Sequence, residues 1–252
     1  FKFLRRMLSV RINLFQLLLL LLYFTGYNAS AQLSGCVNAD FELNSFANWT
    51  GTTGSCCPIN SITPGIVAGR HTIMTGPGTD PNTNGAITVV APGGQFSARL
   101  GNDDVGGEAE QLSYQIAVDA TNALFIYRYA VVLEDPSHTL GEQPRFEIRV
   151  YDQNGLPVGC GEYNVVATAG IPGFVSIVNS AGSTVHYKDW TTVGIDLSPY
   201  IGQNVTIEFS TGDCALGGHF GYAYVDCYCS PLIILSDLCA GANSTILTAP
   251  IG

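Results

Sequence analysis

Apolar and polar residues alternate in short runs along most of this chain. Leu112, Tyr114, Ile116 and Val118 alternate with Gln111, Ser113, Gln115 and Ala117. Phe146, Ile148 and Val150 alternate with Arg145, Glu147 and Arg149, and Val205, Ile207 and Phe209 with Asn204, Thr206 and Glu208. A period of two places one set of side chains on each face of an extended segment, so these runs predict half-buried β-strands. Phe41 and Leu43 alternate in the same way with Asp40, Glu42 and Asn44, which predicts an opening strand. The segment 124–133 is apolar on both faces apart from Arg128, which predicts a central strand covered on both sides. Asp152-Gln-Asn-Gly155 predicts the turn of a hairpin leading into a strand near 158–166. No run has helical periodicity. Many short strands separated by Gly, Pro, Asn and Asp predict an all-β fold, a sandwich or barrel.

Two stretches, 51–66 and 76–85, are dense in Gly, Pro, Thr and Asn and read as long loops. Loops of this length in a compact domain are either functional or stapled, and Cys56-Cys57 inside the first favours a staple. The first 31 residues have a separate character. Lys2, Arg5, Arg6 and Arg11 precede an apolar stretch over 14–24, and Ala29-Ser-Ala31 supplies a small-x-small site before Gln32. This is the pattern of a cleaved secretory signal, with an apolar run too short for a comfortable membrane span. The expected localisation is secreted or cell surface, with no membrane insertion after cleavage. Leu33-Ser-Gly-Cys36 offers a rival processing site of the lipobox kind, with Cys36 as a disulfide half the plainer alternative.

Four of the ten Lys and Arg fall in that leader, which leaves six against twenty Asp and Glu. Without a basic cluster the chain cannot neutralise phosphates, which excludes nucleic acid as a partner and disfavours anionic membrane surfaces. All eight cysteines lie beyond residue 31, and export with that count predicts structural disulfides. Adjacent Cys56-Cys57 and the single-residue gap of Cys227-Tyr-Cys229 suit zinc knuckles poorly.

The opening Cys36-Val-Asn-Ala-Asp-Phe-Glu42 with Trp49 and the closing Gly217-Gly-His-Phe-Gly-Tyr-Ala-Tyr-Val-Asp226 resemble the bookends of a jelly-roll β-sandwich of the carbohydrate-binding-module or MAM type. With Val131-Val-Leu-Glu-Asp-Pro136, Glu142-Gln-Pro-Arg-Phe146 and Trp190-Thr-Thr-Val-Gly-Ile-Asp-Leu197, the chain is similar to N-terminal modules of large surface proteins of Bacteroidota-type bacteria. The resemblance implies an antiparallel jelly roll over 32–231. It also implies that 232–252 is the truncated start of an Ig-like or PKD-like repeat, with Cys239 pairing beyond it. A gliding-motility sorting domain read by type IX secretion is implied further downstream.

The resemblance further implies a structural Ca2+ joining the opening segment to the closing strand, held by Glu42 and Asp226 with Asn38 or Asp40. Such a hard cation takes six to eight oxygen ligands. Trp49, Tyr127, Tyr129, Tyr151, Tyr163, Tyr187, Trp190, Tyr222 and Tyr224 supply aromatic surface for either core or sugar stacking. Tyr151 and Tyr163 are the expected glycan contacts, since Tyr151 falls on the polar side of its strand. In the loop after residue 133, Glu134, Asp135, His138 and Glu142 are candidate acid/base or metal groups, although no catalytic motif accompanies them. His71, His138, His186 and His219 are scattered singly. No catalytic residues are assigned. The expected function is a non-catalytic adhesion or recognition module for an extracellular glycan or surface ligand. The alternative is the accessory module of a secreted hydrolase whose catalytic domain lies beyond Gly252.

Overall fold

The computed structural model describes residues 35–159 and 162–232, and these build an all-β sandwich of two antiparallel six-stranded sheets. The expected leader (1–31), Cys160 and the expected repeat with Cys239 lie outside the described residues. In chain order the strands are β1 (Trp49–Ser55), β2 (Asn60–Pro64), β3 (His71–Thr75), β4 (Phe96–Leu100), β5 (Glu108–Ala117) and β6 (Leu124–Glu134). They continue with β7 (Arg145–Tyr151), β8 (Tyr163–Val166), β9 (Val175–Val178), β10 (Thr184–Asp196), β11 (Asn204–Gly212) and β12 (Gly221–Ser230). Sheet A has the order β2-β1-β5-β11-β7-β8, and sheet B the order β3-β4-β12-β6-β10-β9. The chain crosses between sheets after β2, β4, β5, β6, β8, β10 and β11, as in a jelly roll. Among the described residues no helix is long and apolar enough to cross a membrane.

The alternating runs form β5, β7 and β11, adjacent in the middle of sheet A. Their apolar sets, including Leu112, Ile148 and Phe209, are fully buried against Phe125, Val131 and Leu133 of β6. The doubly apolar run is β6, which lies between β12 and β10. Its odd-numbered residues face sheet A, while Ala130 and Val132 face a second cluster on the far side.

That second cluster exists because the stretch 76–95 folds over the outside of sheet B. Ile87, Val89 and Val90 pack there on Tyr222 and Tyr224 of β12. Asp80 organises the cover. One carboxylate oxygen accepts the Thr83 N–H (2.9 Å), capping a single 3-10 turn over Pro81–Thr83. The other accepts the hydroxyls of Tyr222 (2.6 Å) and Tyr224 (2.8 Å). The loop is thus a second hydrophobic layer, and the aromatics of the closing strand are core.

Two sequence expectations fail locally. Residues 51–66 are mostly β-hairpin, because β1 after Trp49 is only Thr, Gly and Ser and β2 (Asn-Ser-Ile-Thr-Pro) has one apolar residue before its Pro, too little for a period-two signal. The opening segment 36–48 is a chain of turns, with Asn38, Phe41, Asn44 and Asn48 all at positive φ. Phe41 is buried through a turn: its ring stacks on Trp49 at 4.7 Å between centroids, while Leu43 is exposed. Asn38 fixes the turns by donating to the Ser45 and Ala47 carbonyls (2.9 and 2.8 Å) and accepting the Leu43 N–H (3.0 Å). Phe41 belongs to the inter-sheet core and Tyr224 to the outer cluster, and the expected opening strand is absent, the first strand being β1. A Cys36–Cys229 disulfide ties the opening segment to β12 instead. Cys56 and Cys57 bond to each other, whereas Cys214 and Cys227 are buried and unpaired.

Candidate functional site

The two sheets differ in how their outer faces are used. The outer face of sheet B is covered over β12 and β6 by the stretch 76–95; the outer face of sheet A is polar, buried at Glu147 and Ser210 and more open toward Gln115 and Arg149. Register places Thr206 between Gln115 and Tyr151, Glu208 between Ser113 and Arg149, and Ser210 between Gln111 and Glu147. Partners in register share a face, so these nine residues form one platform behind the core-facing Ile207 and Phe209. Amide, hydroxyl, carboxylate and guanidinium groups are interleaved across it.

The platform is internally hydrogen-bonded. The Gln111 carboxamide donates to Glu208 Oε2 (3.1 Å) and accepts from Thr52 Oγ (3.2 Å). Arg149 pairs with Glu147 at 2.8 Å and is itself half exposed. Burial against its neighbours raises the pKa of Glu208, partly offset by the Arg149 charge. At the β7 end the face dips into an open groove of about 490 Å³ lined by Gln115, Tyr151, Asp152, Asn204, Thr206 and Glu208. The Asp152 turn closes this end as the sequence predicts: its carboxylate accepts the N–H groups of Asn154 (2.8 Å) and Leu156 (2.9 Å), with Gly155 at φ 75°.

Tyr151 is partly buried at the edge of this groove and is the outward-pointing aromatic among the described strand residues of sheet A. Tyr163 is not on this face. It pairs in register with the core residue Ile148, and its ring packs 5.4 Å from Tyr129 and 6.3 Å from Phe146. The four residues of β8 are too few to show a period, which is why the sequence placed Tyr163 on the wrong side. A larger hollow of about 650 Å³ lies between 75–79 and 88–96, beside Pro77, Val90 and Phe96. It offers few fixed polar side chains and suits a hydroxyl-rich ligand less well.

The residues expected around Ca2+ lie beside β12, an interior strand of sheet B. Asp226 is buried on β12 and bonds Arg128 through Oδ2, while its Oδ1 has no hydrogen-bond partner. Arg128 also donates to the Pro92 carbonyl (2.6 Å). Burial raises the Asp226 pKa; Arg128 opposes this, and the charges of Asp40 and Glu42 add to it, giving about 7. Glu42 Oε1 accepts the N–H groups of Gln95 (2.8 Å) and Phe96 (3.2 Å). Asn38 is occupied by the turns described above. One Asp226 oxygen is thus left without a hydrogen-bond partner while the other is paired with Arg128, and Asn38 is committed to the turns.

In the loop after β6, Asp135 and His186 lie 2.9 Å apart, and His186 Nδ1 lies 2.7 Å from Ser176 Oγ. His186 and Ser176 are cross-strand partners, so this chain of contacts fastens edge strand β9 to β10. Burial alone would raise the Asp135 pKa, but hydrogen bonds from His186, Ser137 and Gln143 leave it lowered. Glu142 caps Thr139 through its N–H (3.2 Å) and hydroxyl (2.7 Å), and Glu134 accepts the Phe220 N–H. His138 sits beside His219 and Cys214, a grouping the sequence reading missed because His138 lies 76 positions before Cys214 and 81 before His219.

No family model matches the chain, and no curated protein matches it. Solved structures with some likeness include TmCBM61 in complex with β-1,4-galactotriose, at 14% identity and a TM-score of 0.40, covering 76% of this chain and 94% of that one. Another is the enzymatically active domain of tailspike protein 4 of bacteriophage CBA120, at 16% identity and 0.39, covering 78% and 21%. A third is the mannan-recognising carbohydrate-binding module TmCBM27, at 11% and 0.34, covering 75% and 94%. These are distant likenesses, and what the protein's own residues can do is the firmer guide.

Proposed function

We propose that the protein is a non-catalytic glycan-binding module that takes a neutral oligosaccharide on the polar outer face of sheet A. The observation that carries this reading is the pairing of a polar platform, partly open to solvent at its β7 end, with Tyr151 beside the groove there. Sugars offer hydroxyls that both donate and accept, together with an apolar C–H face. Carboxamides, carboxylates and guanidinium groups satisfy the first, and a tyrosine ring covers the second. The groove is of the size that small-ligand sites occupy, about 300–1,000 Å³. The excess of acidic residues disfavours anionic polysaccharides as the ligand.

The non-catalytic part of the reading draws on how the carboxylates are spent. Glu208 accepts from Gln111 and Glu147 pairs with Arg149, so both carboxylates are engaged as partners within the platform. A Ca2+ beside Asp226, Glu42 and Asp40 belongs to the same proposal as a structural ion, remote from the sugar, that would hold the opening turns against β12. Export to the cell surface and a place in a larger modular protein are proposed on the leader and the resemblance alone. Screening the full chain on an array of neutral and acidic glycans tests the function. Binding concentrated on neutral oligosaccharides is expected; binding to sulfated or uronic-acid glycans alone, or to none, would overturn it.

A further inference from the structure

We infer that Cys214, His138 and His219 form a binding site for a zinc-class cation, at the end of the sandwich where two sheet-crossing loops meet. The first loop, 135–144, joins β6 to β7, and the second, 213–220, joins β11 to β12. Both leave the same end of the sandwich, since Gly212 pairs with Arg145 and Gly221 with Leu133. The Ala215 N–H donates to the Glu142 carbonyl (2.9 Å) and docks one loop on the other.

The second loop is wound tightly by its own backbone. The Cys214 N–H donates to the His219 carbonyl (3.0 Å), and the Gly217 N–H to the Cys214 carbonyl (2.9 Å). Gly217 supplies the left-handed φ of 71° that this reversal requires. The winding sets Cys214 Sγ 3.4 Å from His219 Nδ1. The first loop brings the His138 ring edge-on to His219, with centroids 5.2 Å apart. All three donor atoms fall within 4.8 Å of one another. Tetrahedral zinc, with bonds of about 2.3 Å to sulfur and 2.0–2.1 Å to nitrogen, spaces such donors about 3.4–3.6 Å apart. The sulfur and His219 already span that distance, and the His138 donor, within 4.8 Å of them, would have to move closer to complete the set.

Three further observations point to a ligand. Cys214 is fully buried and in no disulfide. His138 Nδ1 is shielded from solvent and has no hydrogen-bond partner, a state that costs free energy unless something binds it. The Gly218 N–H points at Cys214 Sγ (3.4 Å), an arrangement that stabilises a thiolate. One sulfur and two imidazoles are soft to borderline donors; they select Zn2+ and its kin over Ca2+ or Mg2+. Three protein ligands leave a fourth position for water or an outside donor. Bound there, the ion would clamp the loops that carry the chain between sheets, independently of what sheet A binds.

The test uses the full chain, stripped with chelator and titrated with Co2+ as a spectroscopic stand-in. One equivalent is expected to bind with thiolate-to-cobalt charge-transfer absorption and to be displaced by Zn2+. That absorption is expected to disappear in Cys214→Ser and in His138→Ala and to persist in Cys227→Ser. Circular dichroism confirms that each variant folds, and His138→Ala, on a half-exposed loop, is the substitution that leaves the core untouched. Absence of the band from the wild-type protein would overturn the site whatever the variants do. So would an undiminished band in Cys214→Ser, or peptide mapping of unreduced protein that finds Cys214 in a disulfide.

Discussion

Cys36 and Cys229 are bonded to each other across 193 residues, so the first turn of the described chain and the last strand of sheet B are one covalent unit. The bond lies at the edge of the inter-sheet core, where both half-cystines are buried. It holds the turns of 36–48 against the sheets. A cysteine so bonded has no thiol left for a lipid, which favours the disulfide reading of Cys36 over the lipobox.

Closing so long a loop removes much of the entropy of the unfolded chain. Replacing both residues, Cys36→Ala with Cys229→Ala, is expected to lower stability by about 2–5 kcal/mol in denaturant titrations. A change below about 0.5 kcal/mol would show that the turns of 36–48 are held by packing alone.

Asp80 should matter as much as any core residue although it is charged. It accepts from two tyrosine hydroxyls and a backbone N–H, all in buried surroundings. Asp80→Ala strands those donors and is expected to cost about 3 kcal/mol or more, since hydrogen bonds to a charged group contribute about 1.5–3 kcal/mol each. Hydrogen exchange is expected to rise first in 76–95. A uniform rise across both sheets would contradict the role of this stretch as a separate cover.

Much of this architecture is legible in the sequence where burial is one-sided. β5, β7 and β11 alternate because one face meets the core and the other meets water, and β6 is continuously apolar because both its faces are covered. The cover itself was not legible, since Ile87, Val89 and Val90 only follow the Gly, Pro and Asn of 76–85 that read as loop, and nothing local says the stretch folds back over sheet B. The opening strand was misread for a related reason. Phe41 and Leu43 imitate a period of two, but the positive φ values at Asn38, Phe41 and Asn44 turn the chain at nearly every third residue. Tyr151 was recoverable from the parity of β7. The polar partners contributed by β5 and β11 depend on register between distant segments and carry no local signal. The same is true of His138 and Cys214.

Asp226 is expected to titrate far above an ordinary carboxylate, near pH 7, because burial and the neighbouring Asp40 and Glu42 outweigh the help of Arg128. A raised folded-state value means the native protein holds a proton that the unfolded chain has released. This contribution therefore favours folding most below about pH 4 and is lost as the pH rises toward 7. Bound Ca2+ would reverse the trend by stabilising the ionised form. The thermal midpoint at pH 7 is expected to rise on adding Ca2+ and to fall again with a calcium-selective chelator. Equal midpoints in both conditions would end the calcium assignment.

The central claim is that a sugar lies on the polar outer face of sheet A, and an NMR titration with an array-selected neutral oligosaccharide tests it most directly. Shifts are expected to concentrate at Gln115, Tyr151, Thr206 and Glu208. Tyr151→Ala is expected to weaken binding about tenfold, or about 1.4 kcal/mol, with the spectrum otherwise native. Shifts clustered instead on 76–95 and Trp190, with Tyr151→Ala binding as tightly as wild type, would contradict it.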